Sequence, residues 1–435
     1  LNKFAGEPVK SEGEMMTRFL NNVYEEAGFY LNQKDARTGG ITWYTEDIQE
    51  AKQKMGIIFP ALQGEAMGSI GSALLAVLSP GNSPIGNMTT LAAVLRNTPI
   101  DQQRSGNFSR DWGGDKMSFI DKKGRSVASG RVVKETKTHF IVQGVDALGR
   151  ESKYRNGQNF RVKIAKKDLK AGYPKPTGYT TRGRTVAKQL DKLQSLFERF
   201  KTPEAVVKFL TTDQPIEVLR EFNKSVPDTK GKVNKNPAPG RRKGAYIFGE
   251  KVGSFFLNME GLGESLTSDL WFNRTWNRYA GTMIDTVSGK ETIVEVPRSE
   301  SERRLQSEAV TQAANELGLT TAELQATMWY FEQELWRSMG VNTRSENYAM
   351  AIDNVASRMD LDNDTRQRLA AAGVNLDAAE AKRETAVSRA DSKGIEKYRA
   401  PQEPGTEIKA QPITSVTDPD GSRFTDFKGV WGAIA

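Results

Sequence analysis

Gly244-Ala245-Tyr246-Ile247-Phe248-Gly249-Glu250-Lys251-Val252-Gly253-Ser254-Phe255-Phe256-Leu257-Asn258-Met259-Glu260-Gly261, running on to Asp269-Leu270-Trp271-Phe272-Asn273-Arg274, is the most ordered signal in the chain. A tight glycine turn at Gly249 opens a helix with Lys251 in its first turn and Val252, Phe255, Phe256 and Met259 on its apolar positions. Gly261 and Gly263 stop that helix. Thr267 or Ser268 then caps a second one, with Asp269 in its first turn. Exposed N–H groups and the macrodipole make a helix N-terminus positive, which favours the Asp269 carboxylate and disfavours an ammonium at Lys251. Lysine is an unfavourable choice there for stability, but it is where a lysine used as a neutral amine nucleophile belongs.

The residues leading into this segment are basic. Gly240-Arg241-Arg242-Lys243-Gly244 lacks the strand and the Gly-Lys-Ser/Thr ending of a phosphate loop, and reads as a phosphate-contacting lead-in. Ser225 to Arg242 reads as a flexible basic loop. Between Lys153 and Lys251 basic residues outnumber acidic ones by about five to two, and the 435-residue chain carries a net charge of +8. A polyanion is the partner class this implies. Cysteine is absent and His139 is the single histidine, which excludes disulfides and cysteine-held zinc or iron–sulfur centres. His139 stands in strand-like sequence and reads as an ordinary strand residue. No apolar run approaches a membrane span and no signal-peptide pattern opens the chain. The start at Leu1 rather than Met reads as a fragment or a processed product.

Working outward, residues 1–114 read as helical. Met15, Met16, Phe19, Leu20, Val23 and Tyr24 mark one face of a helix over 13–30, and further helices follow from Thr45 to about Met55, over 67–78 and over 88–95. Residues 115–170 change character: Met117–Ile120, Arg131–Val133, His139–Val142 and Phe160–Ile164 are short β-rich runs between turn clusters, a small SH3-like barrel or curled antiparallel sheet inserted between helical pieces. Its basic strand Arg161 to Lys167 is suited to lie along a phosphate backbone. Helical periodicity returns over 171–300, with Val186, Leu190, Leu193, Phe197 and Phe200 in one stripe and a helix start at Thr202-Pro203. Residues 301–390 form a helical extension, strongest over 301–318 and 321–339, where Trp329 and Trp336 read as core and 346–390 is weaker. Residues 391–435 read as a polar extended or disordered tail. Asp360, Asp362, Asn363 and Asp364 lack the glycine and terminal glutamate of a calcium loop and read as a turn or cap.

Gly249-x-Lys251, Ser254-x-Phe256-Leu257-x-x-x-Gly261, Asp269 and Arg274 together resemble the signature of the helix-hairpin-helix DNA glycosylase superfamily of endonuclease III and the 8-oxoguanine glycosylases, most of all the lysine-nucleophile type. Leu74 to Pro80 with Asn82 is similar to that family's early core helix and polar turn, so the likeness covers residues 60–100 and 185–280. Where the family has Pro-Gly-hydrophobic-Gly, this chain has Tyr246-Ile247-Phe248-Gly249, with Ile247 in place of the first glycine. The missing cysteines set it apart from the cluster-bearing branch.

The resemblance implies a mainly α glycosylase-like fold carrying the β insertion and the C-terminal helical extension. It implies Lys251 as the nucleophile that attacks the anomeric carbon of a flipped nucleoside, and Asp269 as the acid that stabilises charge on the sugar. It implies Gly249 as the hairpin glycine beside a DNA phosphate, with Arg241, Arg242, Lys243, Gly253 and Arg274 as further DNA-binding residues. The partner is then double-stranded DNA with a flipped base, and neither cofactor nor metal is expected. Trp271 to Arg278 and Leu324 to Trp336 also resemble a domain of very large phage and mobile-element proteins that string many activities on one chain. That implies a polyvalent or virion protein, with other domains of the parent as partners, located in the cytoplasm or packaged in a virion. The residues by themselves leave two other readings open: a non-catalytic DNA grip for packaging or delivery, and a structural virion segment whose helices over 301–340 make protein contacts. In those readings Lys251 is a surface lysine, Asp269 a first-turn charge, and Trp271 and Trp276 core.

Overall fold

The computed structural model describes residues 7–31, 40–80, 83–109, 116–144, 161–176, 181–226, 240–262, 266–287, 290–341 and 347–376. The chain is mainly helical with a small antiparallel sheet. Among the described residues no helix is long and apolar enough to cross a membrane. The sequence reading of 391–435 as a tail lies outside the described residues.

Two compact units interleave along the chain instead of following one another. One, the hairpin unit, comprises residues 51–252 and 348–383; the other, the arginine unit, comprises 1–50, 253–347 and 384–435. This division runs differently from the consecutive segments that composition suggests.

In the hairpin unit, α2 (Ile48–Ile58, whose first turn belongs to the arginine unit), α3 (Glu65–Leu78) and α4 (Pro84–Arg96) are followed by the short α5 (Ile100–Arg104). Every residue of α3 from Ser69 to Leu78 is buried, as expected of a helix apolar on all sides. Pro84 at the first position of α4 follows Ser83, whose hydroxyl accepts from the Gly86 N–H at 3.2 Å, so this helix starts four residues earlier than its apolar periodicity suggests. The partner that covers α4 comes from far along the chain. The helix α13 (Tyr348–Ser357) presents Ala351, Ile352 and Val355 to the interior. The buried Asn87 amide donates to the Tyr348 hydroxyl at 2.7 Å and to the Leu75 carbonyl at 2.9 Å. Lys54 meets Asp353 at 2.7 Å. Asp362 caps α14 (Asn363–Ala371), accepting from the Thr365 N–H at 2.7 Å, which is the cap reading of the Asp360–Asp364 cluster.

The sheet has the order β4-β3-β2-β1-β5, made of β1 (Lys116–Ile120), β2 (Ser126–Glu135), β3 (His139–Gly144), β4 (Arg161–Ala165) and β5 (Lys175–Pro176). Alternation along the strands points Phe119, Ala128, Phe140, Val142 and Ile164 to one side, where they form the core with Leu169. Gly130 is required by close approach: a β-carbon there would lie 2.1 Å from the Gln143 carbonyl oxygen. β2 is longer than its apolar run suggests, because Ser126 to Gly130, mostly small residues with a weak hydrophobic signal, pairs with β1. After the sheet come α6 (Thr181–Phe200), α7 (Pro203–Thr211) and α8 (Ile216–Ser225); β6 (Asp213–Pro215) pairs with β7 (Arg241–Lys243).

The arginine unit is built on α1 (Glu12–Leu31), α10 (Leu270–Tyr279), α11 (Glu300–Leu317) and α12 (Thr321–Ser338), with a hairpin of β8 (Ile284–Val287) and β9 (Lys290–Ile293). Phe19, Val23, Trp276, Val310, Leu324 and Met328 share one core, and the Trp276 ring meets Phe19 at 5.3 Å. A capping box starts α12, where Thr320 accepts from the Glu323 N–H and Glu323 accepts from the Thr320 N–H. In α9 (Glu250–Met259), Glu250 to Val252 belong to the hairpin unit and Gly253 onward to the arginine unit.

Candidate functional site

β7 delivers the chain into a five-residue 3-10 helix, Gly244–Phe248, that is buried throughout. The element ahead of Gly249 is therefore this short 3-10 turn, and the hairpin joins a short helix to a longer one. Gly244 admits no side chain, because a β-carbon would sit 2.1 Å from the Phe209 carbonyl oxygen. Gly249 adopts φ +94° and ψ 169°, a conformation that only glycine reaches without strain, and a β-carbon there would touch nothing within 4 Å. Its role is therefore conformational. The turn ends in α9 with Lys251, half-buried, as second residue. Val252, Phe255, Phe256 and Met259 are buried, as the apolar positions require. Gly253 lies inside α9 and is buried, with no surface to offer a ligand.

The basic lead-in is folded back on the hairpin. Arg242 stacks on the Tyr246 ring, 3.6 Å from its centroid, and forms a two-pronged pair with Glu250, its Nη2 donating to Oε2 at 2.7 Å. Burial works against that charge, yet the hydrogen bonds and charge of Glu250 hold the guanidinium above its ordinary pKa. Arg241 is exposed and donates to the Asp213 carbonyl at 2.8 Å; Lys243 lies 3.5 Å from the Asp213 carboxylate. Arg241, Arg242, Lys243, Gly249 and Lys251 are thus brought together around one turn.

Two side chains of α6 that sequence reading missed grip the same turn. Lys192 Nζ donates to the Ile247 carbonyl at 2.6 Å, and Gln189 Nε2 to the Phe248 carbonyl at 3.0 Å. Their i, i+3 spacing puts both on one face of α6, and consecutive carbonyls are held just before the glycine. Burial lowers the Lys192 amine to about 8. No carboxylate pairs with it among the described residues. The available signal was a lysine flanking the apolar stripe of Leu193 and Leu196, which composition alone does not separate from a solvated one.

Asp269 departs from expectation in detail. It is not a first-turn residue behind a Thr267 or Ser268 cap but the cap itself, its carboxylate accepting from the Phe272 N–H at 2.8 Å. Thr267 instead accepts from the Asn258 amide of α9 at 3.0 Å, and Ser268 bonds Gln306 and Asn273, so both hydroxyls are occupied in holding the loop ahead of α10. Asp269 is half-exposed and shares α10 with Arg274. Arg274 lies against Trp271 and Trp336, 4.5 and 4.6 Å from their centroids, and meets Glu295 at 2.5 Å. Lys251 belongs to the hairpin unit and Asp269 to the arginine unit.

One turn below Arg274, Arg278 is buried between two carboxylates. It donates to both oxygens of Glu26 at 2.6 and 2.7 Å and to Glu332 at 2.8 Å. Trp336 Nε1 and Thr275 Oγ1 also donate to Glu332, at 2.7 and 3.0 Å, and the Tyr279 hydroxyl donates to Glu26 at 2.5 Å. Burial pushes the Glu26 carboxyl up in spite of the guanidinium beside it. Trp276 is core, and its Nε1 donates to Glu302 at 3.1 Å. Among the described residues no three acidic or histidine side chains are grouped to hold a metal ion. No family model, curated protein or solved structure matches the chain.

Proposed function

We propose that the chain is a DNA-binding, glycosylase-like protein that excises a base, with Lys251 as nucleophile and Asp269 as the stabilising carboxylate. The observation that carries this reading is the turn at Gly249: a positive-φ glycine, which brings no side chain of its own to the helix start, and an amine in the first turn, fronted by Arg241–Lys243. Backbone N–H groups at a helix start suit a phosphate oxygen. The amine attacks C1′ of an extruded nucleoside, the C1′–N bond breaks as the base leaves, and ring opening gives a Schiff base. Loss of a C2′ proton then expels the 3′ phosphate. Asp269, whose carboxylate accepts from the Phe272 N–H, is the acid assigned to the positive charge that grows on the sugar.

Borohydride trapping on duplexes carrying 8-oxoguanine or an abasic site tests this. The intact chain gives a covalent adduct, and Lys251→Gln gives none while binding DNA as before. Asp269→Asn keeps a good helix cap and removes the charge, so trapping slows by about 10²–10³ with the fold intact. An undiminished adduct in Lys251→Gln, or none in the intact chain, removes the mechanism. A second reading, DNA binding without chemistry, draws on Arg242 and Arg274 being committed to Glu250 and Glu295. It predicts salt-sensitive binding with no lesion preference.

A further inference from the structure

The described part of the sheet and its trailing loop, residues 116–144 and 161–176, carries thirteen Lys and Arg against three Asp and Glu. That imbalance exceeds the net charge of the entire chain, so the rest of the molecule is close to neutral by comparison. Register sorts these cations by face. Phe140 pairs with Ile164 and Val142 with Val162 and Val132, and this side faces the core. Ile141 and Gln143, between them, lie on the other side of the sheet, where Gln143 is itself buried and its flanking cations are exposed. Gln143 is flanked by Arg131 on β2 and Arg161 on β4, and Ile141 by Lys134 and Lys163.

Two rows of cations therefore cross three strands. Within a row the flanking backbones are about 10 Å apart, and along β4 the rows are about 7 Å apart. Arg131, Lys134, Arg161 and Lys163 are all exposed. Arg161 Nε donates to the Gln143 amide oxygen at 2.7 Å, which lays that guanidinium along the sheet. Lys134 and Lys163 meet no carboxylate among the described residues, whereas Lys166 is taken up by Glu135 at 2.5 Å and by the Phe140 ring. Lys134, Arg161 and Lys163 are exposed like charges close enough to repel one another, so the arrangement suits an external polyanion.

We propose that this outward face is a second DNA-binding surface, separate from the Gly249 turn, that holds the phosphate backbone of duplex DNA without reading sequence. The duplex offers one negative charge per ~1.7 Å of axis, so a patch of this size spans several phosphates. Phe119 and Phe140 lie on the core side, so of the rings of these strands only His139, bonded to Thr138, falls on the outward face by alternation. A single imidazole is a poor platform for the successive bases of a single strand, and this favours the duplex.

The test is binding of the full chain to an undamaged 30-base-pair duplex by fluorescence anisotropy across a salt series, against the triple variant Lys134→Gln, Arg161→Gln, Lys163→Gln. The variant is expected to lose about 2.7 from the slope of log K against log salt, and at least about tenfold in affinity near 0.1 M salt. Its melting temperature should hold, since all three positions are exposed. Slope and affinity equal to those of the unchanged chain overturn the proposal, as does an unchanged chain that fails to bind duplex at low salt. A loss seen on single strands and not on duplex overturns the choice of partner. Because the triple variant leaves Lys251 and the Gly249 turn in place, borohydride trapping at saturating protein and the salt slope report the two surfaces separately.

Discussion

A partly buried amine without a carboxylate partner is costly, and Lys192 is such an amine among the described residues. Unfolded, it keeps its proton up to its ordinary 10.5; folded, burial releases it near 8. Between these values the unfolded chain binds the extra proton, so stability rises as pH climbs from about 8 to 10.5, and below 8 the folded state bears the cost of the charge. Denaturant titrations over that window should show the rise in the intact protein and its absence in Lys192→Met. The slope is the readout, because the variant also strands the Ile247 carbonyl. Single residues were the hardest thing to read in the sequence. Lys251 could be picked out by the glycine two places before it, but nothing local marks Lys192 as the partner of a carbonyl 55 residues away. The four cations of the outer sheet face were visible as basic residues, yet which of them share a face depends on register.

At the scale of elements the sequence was most informative where periodicity or a cap acts locally. α1, α3, α6, α11 and α12 follow from apolar spacing, and the turn at Gly249 from the glycine itself. That turn makes the cleanest prediction here. Gly249→Ala meets no steric obstacle but must hold a φ of +94°, so it should cost about 1–3 kcal/mol in thermal or denaturant unfolding. A variant as stable as the parent would show that the turn relaxes without difficulty. Other boundaries escaped because the deciding group is a competitor for the same role. Asp269 outcompetes Thr267 and Ser268 as cap, since Asn258 and Gln306 already occupy those hydroxyls. α13 looked weak because its buried face is alanine-rich, and small residues give close packing with little hydropathy.

At the scale of the whole molecule, the interleaving of two units was not legible at all, because composition reports neighbours in sequence and not in space. The clearest instance is the buried guanidinium of Arg278, which ties α1, α10 and α12 together through Glu26 and Glu332. Removing the guanidinium strands the Glu26 and Glu332 carboxylates in the interior, so Arg278→Met should destabilise the protein by about 3–5 kcal/mol in denaturant unfolding. A loss below about 1 kcal/mol would show that the unit does not depend on this cluster.

The same tie has a consequence for how the protein is made. Glu26 leaves the ribosome 252 residues ahead of Arg278, and further still ahead of Glu332. At about 5–20 residues per second that is a delay of tens of seconds. Throughout it, α1 carries Phe19 and Val23 without α10, α11 and α12, which share their core in the folded unit, so this helix is expected to need a chaperone during translation.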